Sequence, residues 1–211
     1  MRSLVIETAA AACSVALIEG GIEGGTVIAA AHEVVGRGHA ERLVSMIAEL
    51  PEGGRAPRIL VDCGPGSFTG VRVGIAAARG LALGWGAEAY GFSSLALLAA
   101  SGFAANPDWT SLAVVLEGGH GEVFMQAFDA PLTPLGALAS LKPEAALAGL
   151  AGRPAIGNGV RFLRPLGDRA LLIEALPCAA DAILLPPVFA ALPPRPIYGR
   201  APDARPLAAP V

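Results

Sequence analysis

The chain has 211 residues, 54% of them hydrophobic and 16% charged, with a formal net charge of −3. Its Lys and Arg form no long basic run, which excludes a chain that grips a nucleic-acid backbone on its own, since that takes clustered cations. A basic site completed by a partner stays open. Mean hydropathy is +0.57 while aromatics are only 5%, so the core is built from alanine and aliphatic side chains in closely packed elements. The length suits two lobes of roughly 100 residues each. Cys13, Cys63 and Cys178 are odd in number and far apart, with no zinc spacing and no disulfide framework. The apolar stretch before Glu7 is only Leu4-Val5-Ile6, shorter than a secretory leader requires, and no uncharged apolar run reaches about 20 residues. A cytoplasmic protein with no membrane association is expected.

In chain order, "SLVIE", "CSVALIE" and "TVIAAAHEVV" read as three strands joined by short turns. From His39 a helical period appears, with Leu43, Met46, Ile47 and Leu50 on one face, until Pro51-Glu52-Gly53-Gly54 stops it. "RILVDC" is a strand without alternation, as for one buried on both faces. The loop "GPGSFTG" follows, then a helix over about 71–84, the strand "AEAYG", and a helix over about 94–104. Around 106–110 the character resets. "SLAVVLEGGHGEVFMQAF" repeats the strand–acid–turn–strand layout of the N-terminus, with Glu117 standing where Glu7 stood. We therefore expect an internally duplicated α/β protein: a first lobe over 1–106, a smaller second lobe over 107–192 and a Pro-rich tail over 193–211. Beyond about 130 only "KPEAALAGL" reads as a helix and "RPAIGNGVRFL" as a strand entering a Gly-Asn-Gly turn.

Three groups of residues could carry function. The loop residues Gly64, Gly66, Ser67, Thr69 and Gly70 fit neither common phosphate motif. There is no lysine for a P-loop, and Gly70 comes one place late for a dinucleotide fingerprint. The loop reads either as an anion-favouring helix entry or as a tight turn capped by Ser67 or Thr69. The helix after it carries Ala76, Gly80 and Gly84 at spacings of four, a small-residue face that admits another helix at short range, from this chain or from a partner. Glu7 ends a strand, but Thr8-Ala9-Ala10-Ala11-Ala12 after it has no glycine, so its Cβ atoms obstruct approach to a phosphate. Glu7 and Thr8 are read as the vestige of a nucleotide and metal position that holds neither. His39 has no second histidine at helical spacing and reads as a cap or interface residue. No closely spaced pair of carboxylates is evident.

"LVIETAAAACSVAL", "GHAERLVSMI" and "GPGSFTGVRVGIAAARGLALG" resemble the bacterial TsaB (YeaZ) family, strongly over residues 1–104 and thinly afterwards in "EGGHGEVF", "GNG" and "PIYGRAPDARP". The resemblance implies a two-lobed fold of the actin-like ATPase, ribonuclease H-like type. It also implies a non-catalytic role in making N6-threonylcarbamoyladenosine in tRNA, without a cofactor. The partner implied is the paralogous transferase TsaD, held as a heterodimer, with the ATPase TsaE joining in a ternary complex. An apolar helix pair without its paralogue is expected to pair with its own copy, so a homodimer is expected when the chain is alone, and tRNA is expected to be met only through the complex. The helices at about 38–50 and 71–84 would form the partner surface, for which Arg42, Met46, Arg72, Ile75, Ala76, Arg79 and Gly80 are the candidates. The alternative is an ATP-binding enzyme of the same superfamily, an ATPase or small-molecule kinase. The chain departs from the family in having Glu7 for Asp, Glu117-Gly118-Gly119 for an acid-Ala-Arg turn, a short 51–57 connection, Gly199 for Leu and a compressed second lobe.

Overall fold

The computed structural model describes residues 1–167 and 170–200. Its first half forms β1 (Arg2–Glu7), β2 (Ala12–Glu19), β3 (Thr26–Val34), α1 (His39–Glu49), β4 (Arg58–Asp62), α2 (Phe68–Trp85), β5 (Glu88–Phe92) and α3 (Ser94–Ala105). The second half forms β6 (Ser111–Gly119), β7 (Glu122–Asp129), β8 (Thr133–Leu141), α4 (Pro143–Gly149), β9 (Ala155–Ile156) and β10 (Leu172–Ile173).

The first sheet has the order β3-β2-β1-β4-β5 and the second β8-β7-β6-β9-β10, so each lobe repeats the same order, third-second-first-fourth-fifth. Directions repeat as well. The first three strands of each lobe are antiparallel and the last two run parallel to the first. This is the duplicated, two-lobed α/β architecture expected from the echo between Glu7 and Glu117.

Side-chain parity assigns the two faces of the first sheet. Leu4, Ile6, Val15, Leu17, Ile59 and Val61 pack under α1 and α2. Val5, Ala16, Ile18, Leu60 and Phe92 pack on the other side with α3, and that cluster continues into Leu112, Val114, Phe124 and Ile156 of the second sheet. Helix α3 is buried from Ser94 to Ala100, as a helix clad on all sides must be, and it is the layer shared by both lobes. The far face of the second sheet is covered by α4. The 3-10 turn over Ala179–Leu184 returns to β2 and α3, and Leu192 bridges to Gly91 at the edge of β5. Of the Pro-rich tail, residues 201–211 lie outside those described.

Helix α2 and strands β8 and β10 differ from expectation. Helix α2 begins at Phe68 rather than 71, because the Ser67 hydroxyl accepts the Gly70 N–H at 3.2 Å and draws the loop's end into the first turn. Strand β8, not anticipated, is an exposed edge holding Pro134 and Gly136. Such residues are tolerated at an edge and erase a strand's usual signature.

Packing on α2 divides its glycines into two kinds. A Cβ on Gly70 would overlap the Thr8 carbonyl, whereas one on Gly80 meets nothing within 4 Å. Gly70→Ala should therefore lose about 1–3 kcal/mol in urea unfolding, and Gly80→Ala should gain about 0.5–1 kcal/mol from helix propensity. Equal effects at the two positions would contradict this packing.

Candidate functional site

Two turns meet at the carboxyl ends of β1 and β4. The alanine turn after Glu7 and the glycine loop after Asp62 are tied by Ser67 N–H donating to the Ala9 carbonyl at 2.6 Å and by Thr8 Oγ1 donating to the Gly70 carbonyl at 2.8 Å. Cβ atoms at Gly66, Gly70 and Gly74 would collide with Ala9 O, Thr8 O and Thr8 Oγ1 respectively. The glycines thus admit close backbone approach, and what approaches is this chain's own turn. Three of the loop amides are committed likewise: Gly64 N–H donates to Asp62 Oδ1, Ser67 N–H to Ala9, and Gly70 N–H to Ser67.

The cleft between the lobes is correspondingly closed. Ala9, Ala10, Pro65, Gly66 and Ser94 face Leu116, Glu117 and Asn158 across a cavity of about 10 Å³. That is room for one water at most. A larger cavity of about 830 Å³ lies elsewhere in the second lobe, beside Trp109, Leu150, Arg153 and Leu171.

Behind the turns, Glu7 and Asp62 form a pair that the sequence reading missed. Both are wholly buried. Glu7 Oε1 accepts from Ala9 N–H at 2.6 Å, and Asp62 Oδ1 accepts from Gly64 N–H at 2.6 Å and from Ser94 Oγ at 2.8 Å. Burial first, and then the Asp62 charge, hold Glu7 well above the carboxylate range. Burial pushes Asp62 up to about 7, against its hydrogen bonds to Gly64 and Ser94. Among the described residues no cluster of three or more His, Cys, Asp or Glu converges as a metal site. In the second lobe the matching strand ends carry a different solution. Glu117 pairs with Arg161 at 2.6 Å, and its N–H donates to Asn158 Oδ1 at 3.0 Å.

Among the described residues much of the outer face of α2 is exposed. Phe68 is 70% exposed and Leu83 88%, with Thr69, Ala76, Arg79 and Gly80 between them and Gly84 just beyond, and Val44 of neighbouring α1 is 65% exposed. Arg72 lies 3.2 Å from the Phe68 ring centroid and donates to Tyr198 Oη at 3.0 Å, while Arg79 donates to the Pro194 carbonyl at 2.7 Å. Arg42 is held between Glu33 at 2.6 Å and Glu49 at 3.0 Å. Met46 and Ile75, named for the partner surface, point into the core instead. Met46 belongs to the same apolar period as Leu43 and Ile47, and that face packs on the sheet. Phe68, Leu83 and Val44 were legible as apolar residues on the faces opposite those periods. His39 is buried with Nε2 at 3.0 Å from the Ala12 carbonyl, tethering α1 to β2.

The sequence-family model described as TsaD, tRNA N6-adenosine threonylcarbamoyltransferase, matches residues 28–147. The tRNA threonylcarbamoyladenosine biosynthesis protein TsaB of Escherichia coli K12 is 36% identical over 134 residues, 61% of this chain and 55% of that protein. Its Haemophilus influenzae namesake is 38% identical over 105 residues, 47% of this chain and 42% of that one. The structure of YeaZ from Pseudomonas aeruginosa superposes with a TM-score of 0.77 at 28% identity, covering 93% of this chain and 99% of that one. The chain belongs to the TsaB (YeaZ) family. It spans about half the length of these two TsaB relatives. No helix among the described residues is long and apolar enough to cross a membrane.

A closed cleft and committed amides predict that ATP with magnesium gives no saturable heat when titrated calorimetrically into the isolated chain. Micromolar binding would mean that the lobes open.

Proposed function

We propose that this chain is a non-catalytic subunit of the machinery that forms N6-threonylcarbamoyladenosine in tRNA. It binds the paralogous transferase TsaD through α1 and α2 and holds it in a working state, with the ATPase TsaE joining the pair. Family membership supports the pathway, and the match to the TsaD family model supports a paralogous partner. The single observation that carries the binding role is the outer stripe of α2, where two exposed apolar side chains flank small residues. Exposed apolar surface of this kind marks an interaction site, and Ala76, Gly80 and Gly84 let a facing helix approach closely. In the absence of TsaD the same stripe pairs with a second copy of the chain, competing with the heterodimer.

The loop residues Gly64, Gly66, Ser67, Thr69 and Gly70 then serve as a shaped entry to the interface helix, and Glu7 and Thr8 keep the place of a nucleotide site without its function. An ATPase or kinase reading is opposed by the closed cleft. With a net charge of −3 the chain meets tRNA only through the complex, in the cytoplasm.

The test is a pair of bulky substitutions on the stripe. Ala76→Trp and Gly80→Leu should lower affinity for TsaD at least tenfold by analytical ultracentrifugation, while the Tm stays within a few degrees of wild type. Unchanged affinity in both variants would remove α2 from the interface.

A further inference from the structure

Glu7 and Asp62 end the two central parallel strands, and the register of Ile6 opposite Val61 sets them at neighbouring positions on the sheet face that carries α3, where the charge of Asp62 acts on Glu7. Each commits one oxygen to the N–H two residues on. The remaining oxygens, Glu7 Oε2 and Asp62 Oδ2, are buried with no hydrogen-bond partner. Among the described residues neither carboxyl is in an ion pair. Two adjacent carboxylates cannot both stay ionised without water or a cation.

We propose that Glu7 and Asp62 share one proton at neutral pH, one carboxyl donating to the free oxygen of the other. This bond clasps the strand ends from which the alanine turn and the glycine loop spring. It makes the seating of the first turn of α2 dependent on pH. The direction in which burial moves both groups agrees.

The surrounding charges do not supply an alternative. Cys13 on β2 and Cys63 after β4 are buried thiols pushed up to about 11 and about 12, so both are neutral. Across the cleft Glu117 is satisfied by Arg161. Asp181, in the 3-10 turn packed on β2, faces Ser101 and His32. Arg42 of α1 is taken by Glu33 and Glu49, Arg79 of α2 donates to Pro194, and His39 is bound to Ala12.

The sign follows from linkage. The folded chain retains a proton that the unfolded chain has released, so the contribution is full in the acid range below about pH 4. It declines as pH rises through the range where the pair gives up its proton, which burial sets above the ordinary carboxylate range of either group. Loss of the proton should loosen the contacts of Ser67 with Ala9 and of Thr8 with Gly70.

The experiment compares wild type with Asp62→Asn and Glu7→Gln between about pH 5 and pH 8.5, across the carboxyl window. Readouts are Tm, amide hydrogen exchange over residues 64–72 and the infrared band of a protonated carboxyl. The expected wild-type result is a Tm that falls by several degrees as pH rises, with faster exchange in the loop and a protonated-carboxyl band at pH 7. In Asp62→Asn, whose amide donates to Glu7 permanently, the slope flattens and the band disappears. If neither variant folds, the wild-type band alone decides. Its absence at pH 7 overturns the proposal. So does a wild-type pH slope retained in Asp62→Asn, or a saturable rise in wild-type Tm on adding calcium or magnesium at pH 7, which would make the pair a cation site.

Discussion

The structure depends on one contact, the close approach of the glycine loop to the alanine turn of the same chain. Ser67 donates to Ala9 and Thr8 donates to Gly70, and the space between is so small that three positions on the loop side admit no Cβ. This contact fixes where α2 starts and how it lies on the sheet. In doing so it takes up the Ser67 N–H and the space beside Gly66, Gly70 and Gly74. The arrangement is the mount for a helix.

The internal duplication sharpens this reading, because the second lobe solves the same problem with different side chains. Where the first lobe buries Glu7 against Asp62, the second offers Glu117 to Arg161 and uses Asn158 to accept its backbone N–H. The lobes share α3, a helix buried on nearly every side, so cleft and interlobe packing form one continuous core rather than two bodies around an opening. Apolar burial across that layer opposes opening. The outward face of α2 is left as the place where chemistry can meet the outside.

Much of this was legible in the sequence, for physical reasons. Strands β1 and β4 are clad on both faces and so appear as unbroken apolar runs, and α1 shows a period because only one side packs. The duplication could be read because an acid at a strand end followed by a tight turn is distinctive even at low similarity. Other features escaped. The Glu7–Asp62 pair arises only when β4 is set beside β1, which spacing along the chain does not disclose. The start of α2 was set a few residues late because its first glycines look like loop, although Ser67 was one of the two candidate caps. Met46 and Ile75 were set on the outside because a helical period gives an apolar face without saying what covers it. Strand β8, an edge with proline and glycine, had no pattern to read.

The most direct measurement is reconstitution of the modification reaction with TsaD, TsaE, ATP, threonylcarbamoyl-adenylate and tRNA, with and without this chain. Mass spectrometry would follow the modified nucleoside. A supporting, non-catalytic subunit predicts product only when the chain is present, at a level that Glu7→Ala leaves intact whenever the complex still assembles. Product formed equally well without the chain would contradict that role. Loss of product with Glu7→Ala in an assembled complex would mean that the strand end still does chemistry.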